Sequence, residues 1–143
     1  MPRPRGTARV TGGGKRVESR PAHVMVIDAS RMILGVMREL LEFDRYAVTA
    51  TTFVPESFAQ IEALQPNLLI IDLAIHQHVG WDLLERLALE ALTRSIPVIV
   101  TSTDPKLLQR AEANQVQYGG QGWIAKPFDV DELLHVVHDL VGA

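Results

Sequence analysis

Leu68-Leu69-Ile70-Ile71 runs unbroken into Asp72 and Leu73. Four apolar residues in succession, without polar alternation, describe a strand buried on both faces, as a parallel sheet requires. Three other runs share this form. His23-Val24-Met25-Val26-Ile27 ends in Asp28, Pro97-Val98-Ile99-Val100 in Thr101-Ser102, and Gly122-Trp123-Ile124-Ala125 in Lys126-Pro127. Ligands of an open parallel sheet sit beyond the carboxyl ends of its strands. Two carboxylates, a hydroxyl and an ammonium are therefore expected to converge on one pocket.

The segments between these runs read as helices. From Ser30, a plausible N-cap, to Phe43, the residues Met32, Ile33, Val36, Met37, Leu40 and Leu41 recur at helical spacing. Tyr46 to Thr51 is rich in β-branched residues and reads as a strand. Pro55 suits the first turn of a second helix with Phe58, Ile61 and Leu64 as its inner stripe. A third helix over Trp81 to Leu92 presents Leu83, Leu84, Leu87 and Leu92 inward. Asp104-Pro105 caps a fourth, and Asp129 caps a last helix carrying Leu133, Leu134, Val137 and Leu140. Five strand–helix units in a row predict an α/β, doubly wound five-stranded parallel sheet with five helices and right-handed crossovers.

Charge divides the chain near Pro21. Residues 1–22 hold six basic side chains against Glu18 alone, with Gly12-Gly13-Gly14 and three prolines. Residues 23–143 hold eight basic and sixteen acidic side chains. The first segment has too little to bury to offset its ordering entropy, so it is expected to be a disordered basic arm. A solvated tail is the preferred reading; contact with nucleic acid, an acidic partner or the domain's own acidic face is the alternative. Cysteine is absent, which removes disulfides and thiolate chemistry. No apolar run approaches the roughly 20 residues that cross a bilayer, and the first residues lack a secretory core. A cytoplasmic protein without membrane contact is expected.

The strand-end groups suit phosphate. Asp28 and Asp72 brought together repel unless a cation lies between them, and Mg²⁺ accepts two carboxylates plus a carbonyl. A carboxylate can also act as a nucleophile and become an aspartyl phosphate. An ammonium such as that of Lys126 and a hydroxyl such as that of Ser102 can neutralise the phosphoryl oxygens.

With these motifs in hand, residues from about 22 to 142 resemble the receiver domain of two-component response regulators, which has the flavodoxin-like fold. Val26-Ile27-Asp28-Ala29-Ser30 resembles its first-strand acidic site, and Pro66 to Leu73 with Gly80 its phosphoacceptor strand and loop. Ile96 to Ser102 resembles the strand ending in the switch hydroxyl, and Lys126-Pro127-Phe128 matches the family's Lys-Pro-Phe. The resemblance implies Asp72 as phosphoacceptor, with Asp28, Asp72 and Ala74 around Mg²⁺. It implies that Lys126 pairs with the phosphoryl group, that Ser102 moves to it, and that Trp123 is the switch aromatic. Plain packing is the alternative for Trp123. A histidine kinase or phosphotransfer protein would be the donor, and a downstream protein or a second copy of the chain would read the output surface. That surface would involve Arg110, Trp123 and His135. Such a domain assists its own phosphorylation and dephosphorylation without being an enzyme. With nothing following Ala143, a stand-alone receiver or an excised fragment is expected.

The departures are as informative. Ile27 stands where the family usually has a second acid, so Mg²⁺ affinity is expected to fall. Ala74 cannot orient an attacking water, whereas Asp104, two residues past Ser102, could. His76 and His78 are expected to face solvent rather than bind metal. A pseudo-receiver that works without phosphorylation is the alternative function, favoured by Ile27 and opposed by Asp72, Ser102 and Lys126. Cofactor modules of similar architecture fit poorly. Ala29-Ser30-Arg31-Met32 is no phosphate cradle for a flavodoxin, and Ala74 stands where a cobalamin module has histidine.

Overall fold

The computed structural model describes residues 20–74 and 78–142. Nearly all of the basic arm, and His76, lie outside the described residues. The described chain forms β1 (His23–Ile27), α1 (Arg31–Phe43), β2 (Ala47–Thr51), α2 (Ser57–Leu64), β3 (Leu68–Asp72) and α3 (Val79–Leu89). It continues as β4 (Val98–Ser102), α4 (Pro105–Ala113), α5 (Gln115–Tyr118), β5 (Gly122–Ala125) and α6 (Val130–Val141). All strand pairs are parallel, in the order β2-β1-β3-β4-β5. Every residue of β3 and β4 is buried, whereas the edge strand β2 is half-buried throughout. Unbroken apolar sequence thus marks the central strands, as expected.

The sheet separates two apolar clusters. One joins Met25, Ile27, Leu69, Ile71 and Val100 to α2, α3 and α4 through Phe58, Ile61, Leu84 and Leu108. The other joins Val24, Val26, Leu68, Ile70 and Ile99 to α1 and α6 through Met37, Leu41, Leu133 and Val137. Three of the expected caps are made by side chains. Ser30 Oγ accepts from Ile33 N at 3.2 Å, Asp104 from Lys106 N at 2.9 Å, and Asp129 from Asp131 N at 2.8 Å.

Several expectations need correction. The described residues form six helices rather than five, because the single turn α5 is too short to leave a periodic trace. Leu64 is 40% exposed, since successive steps of three residues each drift about 60° round a helix and carry it off the Phe58–Ile61 stripe. Leu92 is 62% exposed because α3 ends at Leu89, and Glu90 has already turned extended. Thr93 is buried in that region instead, its hydroxyl donating to Leu87 O at 2.9 Å. On α1, Met32 is 75% exposed and Val36 also faces out, while Leu34 is buried with Met37 and Leu41.

Gly80 at the start of α3 lies against the acceptor strand. A Cβ there would stand 3.0 Å from Asp72 O and from Leu73 Cδ2. Because one neighbour is backbone, a Gly80→Ala substitution should cost about 1–3 kcal/mol by pushing α3 from β3. Urea unfolding checks this, and an unchanged midpoint would show that α3 shifts freely.

Candidate functional site

The strand order reverses between β1 and β3, and both strands deliver a carboxylate to that crevice. Asp28 follows β1 and is 3% exposed; Asp72 closes β3 and is 8% exposed. Asp28 Oδ1 accepts from Ser30 N at 2.9 Å, which fixes the carboxylate over the start of α1. Lys126, just past β5, is anchored by its backbone N–H to Ser102 O at 2.8 Å. Its Nζ donates to Asp28 Oδ2 and to Asp72 Oδ1, both at 2.9 Å. One ammonium therefore bridges two buried carboxylates from different strands. The Lys126–Pro127 peptide bond is cis.

Burial pushes the Asp72 carboxyl above its ordinary value; the Lys126 hydrogen bond opposes this and the charge of Asp28 adds to it. Burial works against the Lys126 ammonium, but its hydrogen bonds to Asp72 and Asp28 prevail and raise its pKa. Lys126 therefore stays cationic throughout the neutral range.

Ser102 lies at the same strand-end level but does not touch Asp72. Its hydroxyl donates to Leu73 O at 3.0 Å and accepts from Asp104 N at 3.0 Å, and it is fully buried. The hydroxyl that reaches the carboxylate is that of Thr101, donating to Asp72 Oδ1 at 3.1 Å. Thr101 and Asp72 are paired across β3 and β4, so their side chains share one face of the sheet. The resemblance points to Ser102 among the strand-end pair Thr101-Ser102, whereas the β3–β4 register sets Thr101 opposite Asp72.

Trp123 is half-buried and packs on the α2–α3–α4 cluster with Leu107 and Tyr118. Its indole lies against Gly120, where a Cβ would come within 3.2 Å of the ring. Gly120 also has φ +98°, a conformation that side chains disfavour. The indole Nε1 is buried without a hydrogen-bond partner among the described residues. Arg110 does not stand free, because its guanidinium lies 4.9 Å from the Trp81 ring centroid. Ile27 is fully buried in the apolar cluster, Ala74 is half-buried and His78 is exposed. No cluster of three or more metal-ligating His, Cys, Asp or Glu occurs among the described residues. No helix among them is long and apolar enough to cross a membrane.

The profile of the response regulator receiver domain matches residues 24–138. The chain belongs to the response regulator receiver family. Receiver domains are signalling modules of two-component systems rather than classical enzymes. The polar-differentiation response regulator DivK of Brucella anthropi is 21% identical over 123 residues, covering 85% of this chain and 98% of that protein. Protein PilG of Pseudomonas aeruginosa is 27% identical over 114 residues, covering 80% of this chain and 83% of that protein. RpaA of Synechocystis, a DNA-binding dual master transcriptional regulator, is 26% identical over 118 residues. This chain covers only 48% of RpaA's length.

Solved structures agree on the fold. A CheY-like receiver protein from Methanospirillum hungatei JF-1 superposes with a TM-score of 0.75 at 23% identity, covering 85% of this chain and 94% of that one. Vibrio cholerae CheY4 gives 0.72 at 21% identity, covering 84% and 98%. At such identities the likeness speaks for the fold alone.

Proposed function

We propose that this receiver accepts a phosphoryl group on Asp72 from a histidine kinase or phosphotransfer protein and so switches a protein-binding surface. The observation that supports it most is Lys126 Nζ held 2.9 Å from carboxylate oxygens of both Asp28 and Asp72. A buried carboxylate becomes a nucleophile here with its counter-ion already in place. An oxygen of Asp72 attacks phosphorus, the donor's P–O bond breaks, and the leaving group departs with its electron pair. Lys126 exchanges its contact with Asp72 for a phosphoryl oxygen while keeping Asp28. Ser102 gives up Leu73 O and Asp104 N to donate to the same group, and Trp123 repacks as the strand end moves.

Asp28 and Asp72 set two carboxylates around one crevice, with Lys126 Nζ 2.9 Å from an oxygen of each, and carboxylate oxygens are the donors a hard divalent cation prefers. Asp28, Asp72 and the Ala74 carbonyl would hold Mg²⁺, which neutralises charge developing on the phosphoryl oxygens. Ile27 offers no carboxylate, so the cation would meet two carboxylates rather than three. The output surface comprises α4, β5 and α6 around Trp123, Arg110 and His135, read by a downstream protein or a second copy of the chain. A cytoplasmic location follows from this role.

The test is intact mass after incubation with acetyl phosphate and Mg²⁺. One added phosphoryl group on the parent, absent from Asp72→Ala, is the expected result. No adduct with acetyl phosphate or with a phosphorylated kinase would favour a pseudo-receiver, the reading that Ile27 supports.

A further inference from the structure

The two oxygens of Asp72 are not equivalent. Oδ1 accepts from Lys126 Nζ at 2.9 Å and from Thr101 Oγ1 at 3.1 Å, whereas neither donor is directed at Oδ2. Thr101 is 2% exposed and sits directly opposite Asp72 in the β3–β4 pairing, so its hydroxyl cannot turn to water for a substitute partner. Lys126 has a second carboxylate to hold and a phosphoryl group to meet. Among the described residues, the Thr101 hydroxyl has only Oδ1.

We propose that Thr101 is a positioning residue that holds Asp72 Oδ1, makes Oδ2 the attacking oxygen and shortens the life of the aspartyl phosphate. The proposal rests on Asp72 being the phosphoacceptor. When Oδ2 bonds to phosphorus, Oδ1 changes from a carboxylate oxygen to the carbonyl oxygen of an acyl phosphate. Hydrogen bonds to ionised acceptors are roughly twice as strong as those to neutral ones, so the Thr101 bond weakens in the phosphorylated state. On hydrolysis, a water oxygen attacks phosphorus, the Oδ2–P bond breaks and its electron pair returns to the carboxylate. The water proton passes to solvent, and inorganic phosphate leaves. Negative charge returns to Oδ1 as that bond breaks, so the Thr101 bond strengthens on the way to the transition state. An interaction stronger in the transition state than in the ground state accelerates the step. Ser102 serves the phosphoryl group and Thr101 the carboxylate, which divides two adjacent hydroxyls between two tasks.

Thr101→Val keeps shape and β-branching and removes only the hydroxyl; Thr101→Ser keeps the hydroxyl. Each chain is phosphorylated with acetyl phosphate and Mg²⁺, freed of donor, and followed by intact mass as the adduct decays. The valine variant should hold its phosphoryl group about five-fold longer than the parent, and the serine variant should return to within about two-fold. Equal lifetimes for valine and parent, or a serine variant as slow as valine, would overturn the proposal. In parallel, the Asp72 carboxyl carbon is observed by NMR at fixed neutral pH in the unphosphorylated chains. Its resonance should move in Thr101→Val and return in Thr101→Ser, and an unmoved resonance overturns the hydrogen bond itself. A parent chain that takes up no phosphoryl group overturns the lifetime effect together with the acceptor reading. The carboxyl resonance separates that failure from a failure of Thr101.

Discussion

Replacing Lys126 by methionine should destabilise the protein by roughly 3–5 kcal/mol, the cost of leaving a buried charge without its partner. Its side chain is 9% exposed and those of Asp28 and Asp72 are 5% and 11%, so solvent cannot take over the neutralisation. The variant keeps two neighbouring carboxylates in a buried crevice, and burial already pushes Asp72 upward in the intact site. In Lys126→Met that rise is larger, so the folded state binds protons more readily than the unfolded chain. The lost stability should therefore be partly regained as pH falls through the raised carboxyl pKa, and be greatest above it. Urea midpoints at several pH values measure this. A second substitution, Asp28→Asn, should recover much of the deficit by removing one of the repelling charges. A deficit independent of pH and untouched by Asp28→Asn would mean that Lys126 matters through packing alone. Phosphoryl uptake should fall at least about 100-fold with Lys126→Met, the scale of losing one preorganised donor to a developing oxyanion.

The second large effect concerns the metal. Stripping Mg²⁺ with a chelator should slow phosphorylation by acetyl phosphate on the order of 100-fold, because Lys126 alone then faces the incoming phosphoryl oxygens. Restoring the rate should take unusually high Mg²⁺, with half-saturation above about 1 mM, since affinity follows the count of charged ligands and Ile27 supplies none. A fluorescence titration gives the binding curve directly. Saturation well below that level would show that Asp28, Asp72 and the Ala74 carbonyl suffice. The fold itself should be indifferent to the chelator, because Lys126 already neutralises the crevice.

What could be read from the sequence is what depends on neighbours along the chain. The unbroken run Leu68 to Ile71 identifies a doubly covered strand, and Ser30, Asp104 and Asp129 announce helix starts they do cap. The convergence of Asp28, Asp72 and Lys126 was legible too, because parallel topology delivers every strand's carboxyl end to the same edge. What escaped depends on register and on where an element stops. Thr101 rather than Ser102 touches Asp72, a distinction set by the one-residue offset between β3 and β4. Leu92 was assigned to a helix that ends three residues earlier. Met32 and Val36 belong to an apolar arc on α1 wider than the sheet can cover, so spacing alone could not say which of its residues face out.

The aromatic packing sets which events light can report. The chain has two tryptophans, and both Trp81 and Trp123 belong to the cluster on the α2–α3–α4 side of the sheet. Trp81 meets Tyr118 edge-on at 4.8 Å, with Arg110 over its ring. Intrinsic emission is therefore a one-sided gauge. A partner settling on α4 or β5, or any rearrangement of α5, should change its colour and intensity, whereas one gripping the exposed flank of α1 should leave it unchanged. Binding measured by tryptophan emission and binding measured by mass or heat will then disagree, and the disagreement itself will tell which side of the molecule has been occupied.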